Sequence, residues 1–119
     1  SPVKYEKLGN DEMPESSDTI KKRVNDARKI QIERYKQENI YSNSSLTPKL
    51  ISKYCKLDSE GKEILQTAFE KMGLSARAYG RILKVARTIA DLDNCENIQK
   101  IHIAEAIQYR SLDKKYWKN

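Results

Sequence analysis

The sequence predicts an all-α domain, a small bundle of four to five helices. Turn-forming residues are scarce, with four glycines and three prolines among 119 residues, and this leaves little turn chemistry for an all-β fold. Lys, Glu, Arg, Ala, Ile and Leu dominate the regular stretches. Apolar residues recur there at steps of three and four, which is the spacing of one helix face. A chain of this length can bury one modest core.

The N-terminal part is predicted to divide into a linker and a long basic helix. Residues 1–17 contain two prolines, a glycine and a serine pair among acidic residues, as extended or flexible segments do. Ser17 or Asp18 can cap the first helix, which is predicted to run to about Glu38. The lysines and arginines on its outer sides would keep it solvated. Its inner side is predicted to hold Ile20, Val24, Ala27, Gln31, Arg34 and Tyr35.

Two further helices are predicted before the centre of the chain. Residues 39–45 read as a polar loop, after which Thr47 and Pro48 supply the N-cap and first residue of a short helix. Asp58 is predicted to begin the next helix and Gly73 to end it. The apolar side of that helix contains Ile64, Leu65, Ala68, Phe69 and Met72, which are predicted to be core residues.

The helix within residues 74–92 is predicted to organise the domain. Ser75 can cap it, and it is predicted to end at Asp91 or Leu92. One face is apolar and contains Tyr79, Ile82, Leu83, Ala86, Ile89 and Ala90. The opposite face is basic and carries Arg77, Arg81, Lys84 and, on its flank, Arg87. The pattern alone is typical of a core helix with a solvated outer face.

The last helix is predicted to begin near Lys100, after Ile98 has fixed the connecting loop to the core. It is predicted to bury its apolar side and to carry Arg110 near its end; the buried residues would be Ile103, Ala104 and Ile107. His102 is the single histidine and has no second ligand or nucleophile nearby in the sequence. It is therefore predicted to be a hydrogen-bonding or capping residue. Residues 18–112 would form the domain, and residues 113–119 a frayed tail.

Charge and cysteine content narrow the functional classes. The net charge of +6 and the pI of about 9.3 favour encounters with nucleotides, nucleic acids or acidic protein surfaces, without selecting among them. Cys55 and Cys95 lie far apart without metal-ligand spacing, so neither a zinc site nor a disulfide framework is predicted. No apolar run is long enough to span a membrane and no signal peptide is recognised. The sequence therefore predicts a cytoplasmic protein without a membrane partner.

Arg77 is an unusual residue for its predicted position. The N-terminus of a helix carries the positive end of the helix dipole, which disfavours a cation in the first turn by up to about 1 kcal/mol. A helix N-terminus and an arginine together make a good site for an anion. A phosphate supplied from outside this segment is the expected ligand.

The two C-terminal motifs resemble those of the magnesium-chelatase-like AAA+ ATPases. The first motif reads SARAYGRILKVARTIADL over residues 75–92, and the second reads IQKIHIAEAIQYR over residues 98–110. The sequences of the two motifs are most similar to those of the branch that contains YifB and ComM, which is linked to bacterial competence. The resemblance implies an AAA+ lid-type helical domain, with residues 1–17 as the linker from the ATPase core.

The resemblance also implies roles for the arginines. Arg77 matches the sensor-two arginine, which reaches from the lid to the terminal phosphate of the bound nucleotide, and Arg81 would support it from the same face. Arg23, Arg28 and Arg34 match a basic pattern of the family in the first helix. These three are expected to contact the core domain or a neighbouring subunit.

The implied function belongs to a larger parent protein. The sequence has no GxxxxGK[ST] phosphate loop, so this segment alone is not expected to hydrolyse ATP. ATP and Mg²⁺ would bind the parent, whose partners would be its own AAA+ core, the neighbouring subunits of a homo-oligomeric ring and DNA. There are two alternatives: the lid of a true magnesium chelatase motor subunit, and a stand-alone basic helical binding module. Salt-dependent binding of DNA by the isolated segment would favour the module.

Overall fold

A computed structural model describes residues 16–113, with side chains to residue 111. The fold is all-α, as predicted, and the described chain forms a bundle of five helices with a short 3-10 turn at Asn43–Ser45. The helices are α1 (Ser17–Arg34), α2 (Pro48–Tyr54), α3 (Ser59–Met72), α4 (Ala76–Leu92) and α5 (Lys100–Asp113). Most of the predicted linker and of the predicted tail lies outside the described residues.

Helix α1 differs from its prediction at both ends. Ser16, rather than Ser17 or Asp18, is the N-cap, and its hydroxyl accepts a hydrogen bond from the backbone N–H of Thr19 at 3.1 Å. The helix ends at Arg34 instead of near Glu38. The chain leaves the helix at Tyr35, whose side chain is completely buried, and turns through Asn39 in the left-handed conformation at φ 63°.

The inner side of α1 is shorter than the sequence predicts. Ala27, Gln31 and Tyr35 are buried, but Ile20 is 45% and Val24 is 39% exposed. Every residue from 16 to 26 is exposed. The predicted apolar face therefore packs on the bundle only from Ala27 onwards, and the first half of α1 extends beyond it.

The caps of α2 and α3 confirm their predictions. Thr47 accepts a hydrogen bond from Leu50 N at 3.3 Å with Pro48 as the first helical residue, and Asp58 accepts one from Gly61 N at 2.8 Å. Gly73 ends α3 with φ 61°. A side chain at this position would be strained in the left-handed conformation, which explains the glycine.

Helix α4 lies at the centre of the bundle and contacts α1, α2, α5 and the 3-10 turn. Its buried apolar residues are Ala78, Ile82, Leu83, Ala86 and Ala90. Tyr79 and Ile89 are half-buried and pack against this cluster. The predicted central role of this helix is confirmed.

Helix α5 closes the core against α3 and α4. Ile98 is buried and forms an isolated parallel bridge with Leu57, so the segments that lead into α3 and α5 are held side by side. Ile103 is fully buried, as predicted, but Ala104 is exposed and Ala106 is buried in its place. No helix within residues 16–113 is long and apolar enough to cross a membrane.

Candidate functional site on helix α4

The beginning of α4 presents a cation at a capped helix terminus. Ser75 accepts a hydrogen bond from Ala78 N at 3.1 Å, which confirms it as the N-cap. Arg77 is the second residue of the helix and is exposed, and no acidic residue lies in the first turn. Among residues 16–111 no hydrogen bond or ion pair involves the Arg77 guanidinium. The positive helix end and the free guanidinium therefore share one solvent-facing surface, which suits an anion.

Arg81 lies one turn further along the same side of α4 and is half-buried. It lines a cavity of about 540 Å³ between α4, α5 and the 3-10 turn, which Arg77 does not line. The apolar part of the lining is Ile82, Val85, Ile89, Ala106 and Tyr109. The two predicted sensing arginines thus occupy adjacent turns but different surroundings.

Arg87 differs most from its prediction. Instead of lying on a solvated flank, it is only 3% exposed. Its guanidinium donates hydrogen bonds to the backbone carbonyls of Glu96 at 3.0 Å and Cys95 at 2.9 Å, and its Nη2 lies 3.1 Å from Asp91 Oδ1. Arg87 therefore holds the loop between α4 and α5, and its charge is balanced inside the domain.

Arg34, predicted to contact another domain or subunit, pairs within this domain. Its Nη2 donates to Asp91 Oδ2 at 2.6 Å, and its side chain is 18% exposed. Burial alone would lower the pKa of Arg34, but the hydrogen bonds and charges of Asp91 and Tyr35 outweigh this effect and raise that pKa above its usual value. Arg34 thereby links the end of α1 to the end of α4.

Asn43 completes this buried polar network. Its side-chain amide donates to Asp91 Oδ2 and to Thr88 Oγ1, both at 3.0 Å, and its carbonyl oxygen accepts from the hydroxyl of Tyr35. The Gln31 side chain accepts from Asn43 N at 2.9 Å. Burial raises the pKa of Tyr35, so its hydroxyl remains a donor at neutral pH. The 3-10 turn is therefore fastened to both α1 and α4.

Arg23 and Arg28 are exposed on α1 and do not line the cavity. The structure does not bring them together with Arg77 and Arg81 in one cavity. Contact with another domain or subunit stays a prediction for these two residues.

His102 is a capping residue, as predicted. Its Nδ1 accepts a hydrogen bond from Gln99 N at 2.9 Å, so the ring reaches back to the start of α5 as in a capping box. The proton of the neutral ring is then on Nε2, which donates to Asp93 Oδ2 at 3.0 Å.

Asp93, Cys95 and His102 offer three donor atoms within 4.8 Å of one another. A metal ion on Nε2 of His102 would need the proton on Nδ1, where it would face the N–H of Gln99. Metal binding by this set would therefore break the helix cap. The hydrogen bonds favour a structural role for the histidine.

The two cysteines are free, as predicted, and should differ in reactivity. Cys55 is buried, and burial raises the pKa of its thiol to about 11, whereas Cys95 is partly exposed. At pH 8 only about one in a thousand Cys55 thiols would be ionised. We expect iodoacetamide to modify Cys95 at least about tenfold faster than Cys55 in the folded protein. Mass spectrometry of timed samples measures both rates, and the urea-unfolded protein, in which both should react alike, is the control. Equal rates in the folded protein would contradict the buried state of Cys55.

The chain is similar to a known protein family and to known proteins over most of its length. A family described as "Magnesium chelatase, subunit ChlI C-terminal" matches residues 14–110. The chain is 45% identical over 98 residues to the competence protein ComM of Haemophilus influenzae, covering 82% of this chain and 18% of that protein. It is 44% identical over 100 residues to the uncharacterized protein YifB of Escherichia coli, covering 84% of this chain and 19% of that protein. The chain thus spans less than a fifth of the length of the curated relatives it matches.

Proposed function

The chain belongs to the family of the C-terminal domain of the magnesium chelatase ChlI subunit, and from this membership we propose that it is the helical lid of an AAA+ ATPase. In this proposal a separate core domain of the parent protein binds ATP and Mg²⁺. The lid senses the nucleotide and couples its hydrolysis to motion of a ring of subunits.

The exposed Arg77 at the capped start of α4 is the observation that carries the proposal. A cation at the positive end of a helix is mildly unfavourable unless an anion neutralises both charges. The terminal phosphate of a nucleotide would do so. Arg81, one turn away, adds positive charge on the same side of the helix.

The buried network around Asp91 would transmit a movement of Arg77 to other parts of the domain. Asp91 at the end of α4 is held by Arg34 from α1 and by Asn43 from the 3-10 turn. A displacement of Arg77 would therefore move α1, α4 and the 3-10 turn together. A charge-assisted contact contributes about 1.5–3 kcal/mol, which biases lid closure by about one to two orders of magnitude.

Arg77→Ala in the full-length parent protein tests the proposal. We expect kcat for ATP hydrolysis to fall by about tenfold or more, since the contact favours the closed state. Arg77→Lys should recover only part of the rate, because lysine lacks the two-pronged geometry. Lys62→Ala, at an exposed position on α3, is the matched control. Hydrolysis within about twofold of the parent rate, with the melting temperature unchanged, would refute the sensing role.

A role on DNA is a second candidate, favoured by the name of the Haemophilus influenzae relative as a competence protein. Adding double-stranded and single-stranded DNA to the same assay tests it, since a DNA motor should be stimulated. The lid of a true magnesium chelatase motor would not respond. Strong salt-dependent binding of DNA by this domain alone would instead favour a stand-alone binding module. A cytoplasmic location stays a prediction.

A further inference from the structure

The cavity between α4 and α5 combines an apolar floor with a cationic edge. We call it the α4–α5 groove and define it by its floor, Ile82, Val85, Ile89, Ala106 and Tyr109, and its cations, Arg81, Lys84 and Arg110. Among residues 16–111, no acidic side chain lines it. Its volume of about 540 Å³ lies in the range of ligand-binding cavities.

Arg110 is the least satisfied of the three cations. Its Nε is buried without a hydrogen-bond partner, and no ion pair involves it among residues 16–111. Glu105, five positions earlier on the same helix, does not pair with it there. A buried donor without an acceptor is destabilising, so an acceptor supplied from outside the domain would be stabilising.

The other two cations of the groove, Arg81 and Lys84, already have interactions within the domain. Lys84 Nζ donates to the carbonyl of Ser44 at 3.2 Å, across the edge of the groove. Arg81 and Tyr109 also have interactions of their own. The chemistry of the groove therefore depends mainly on Arg110 and on the apolar floor.

We propose that the α4–α5 groove binds an acidic segment of a partner protein. An apolar side chain of that segment would lie on the floor formed by Val85 and Ile89, and a neighbouring carboxylate would accept hydrogen bonds from Arg110. Arginine and carboxylate match each other in planar, two-pronged geometry. The proposal does not rest on nucleotide sensing, because Arg77 does not line the groove and the carboxylate is assigned to Arg110, not to Arg81.

A peptide suits this groove better than a nucleic acid does. In the part of the chain that the structure describes, the lining is mostly apolar but contains a single aromatic residue, Tyr109, so it offers no series of aromatic rings on which successive bases could stack. An acidic, amphipathic segment provides both an apolar side chain and a carboxylate, as in recognition of a helix by a groove. It would also offset part of the net charge of +6.

Selection from a random twelve-residue peptide library displayed on phage tests the chemistry without assuming a sequence. The protein is immobilised, and Arg110→Gln is selected in parallel. We expect peptides enriched in Asp and Glu next to Leu, Ile, Met or Phe, and we expect Arg110→Gln to lose this enrichment. An enriched set without acidic bias, or the same set on Arg110→Gln, would overturn the proposal, as would the absence of enrichment.

Calorimetric titration of the most enriched peptide then distinguishes binding in the groove from non-specific electrostatic binding to the basic surface. Arg110→Gln should weaken binding by about tenfold or more, since a buried charged contact is lost. Val85→Asn should weaken binding because it places a polar side chain in the apolar floor, whereas Lys62→Gln, at an exposed position on α3, should leave binding within about twofold. Equal effects of Arg110→Gln and Lys62→Gln would contradict binding in the groove. Tighter binding of ATP or of a DNA oligonucleotide that depends on Arg110 would assign the groove to phosphate instead.

Discussion

Asp91→Asn is expected to lower the free energy of unfolding by about 3–5 kcal/mol. The Asp91 side chain is 1% exposed and lies between two guanidinium groups, Arg34 at 2.6 Å and Arg87 at 3.1 Å. Asparagine has a similar shape but no charge, so both arginines would lose their counter-ion. Its amide group would also face donors on Arg34, Arg87 and Asn43, and only one side of the amide can accept hydrogen bonds.

Urea unfolding followed by circular dichroism measures this effect. Asp26→Asn is the matched control, because Asp26 pairs with Lys22 on the surface of α1 with both side chains largely exposed. That variant should change stability by less than about 1 kcal/mol. A loss of less than about 1 kcal/mol for Asp91→Asn as well would mean that the network is solvated in solution.

Ile103→Ala is expected to lower the free energy of unfolding by about 2–5 kcal/mol. Ile103 is fully buried in α5, which packs on α3 and α4. Its Cγ1 lies 3.9 Å from the position that a Cβ on Gly61 would occupy, so α3 approaches it closely. Truncation removes apolar contacts and leaves a cavity that these helices can fill only partly.

Ile101→Ala on the same helix is the control for Ile103→Ala. Ile101 is 55% exposed, so its truncation should change stability by no more than about 0.5 kcal/mol. Alanine also favours helix slightly more than isoleucine in both variants, and the comparison removes this common contribution. Similar losses for the two variants would contradict the packing of α5.

The starts of α2, α3 and α4 could be predicted from the sequence because caps depend on neighbouring residues. Thr47, Asp58 and Ser75 each accept a hydrogen bond from the backbone N–H three positions later. The end of α1 could not be predicted in the same way. It depends on the burial of Tyr35, whose hydroxyl bonds to Asn43 in the 3-10 turn.

The ion pairs of Asp91 with Arg34 and Arg87 were not predicted from the sequence, for a related reason. Arg34 and Asp91 are separated by 57 positions, and in a helical projection Arg87 looks like one more solvated cation. One signal was present in the sequence. Asp91 lies in the last turn of α4, where the negative end of the helix dipole disfavours a carboxylate. A carboxylate there indicates a cationic partner, as Arg77 at the opposite end indicates an anion.

The candidate site was predicted unevenly. Arg77 could be chosen as a candidate because its position in the first turn of α4 and the family resemblance both point to it, and its sensing role stays a prediction. The α4–α5 groove could not, since its floor and its cations come from two helices whose relative placement no local pattern specifies. Arg110 looked like the ordinary basic end of a helix.

The exposed first half of α1 extends beyond the part of the helix that packs on the bundle. Helix geometry places Ser17 about 15 Å along the axis from Ala27, where α1 begins to pack on the bundle. A rotation of the bundle by about 10° would displace Ser17 by about 3 Å. The Arg34–Asp91 ion pair fixes the other end of α1 to α4, so the exposed half of α1 would turn with the bundle instead of bending at its base. A small angular change near Arg77 would thus become a larger linear movement at the start of the domain.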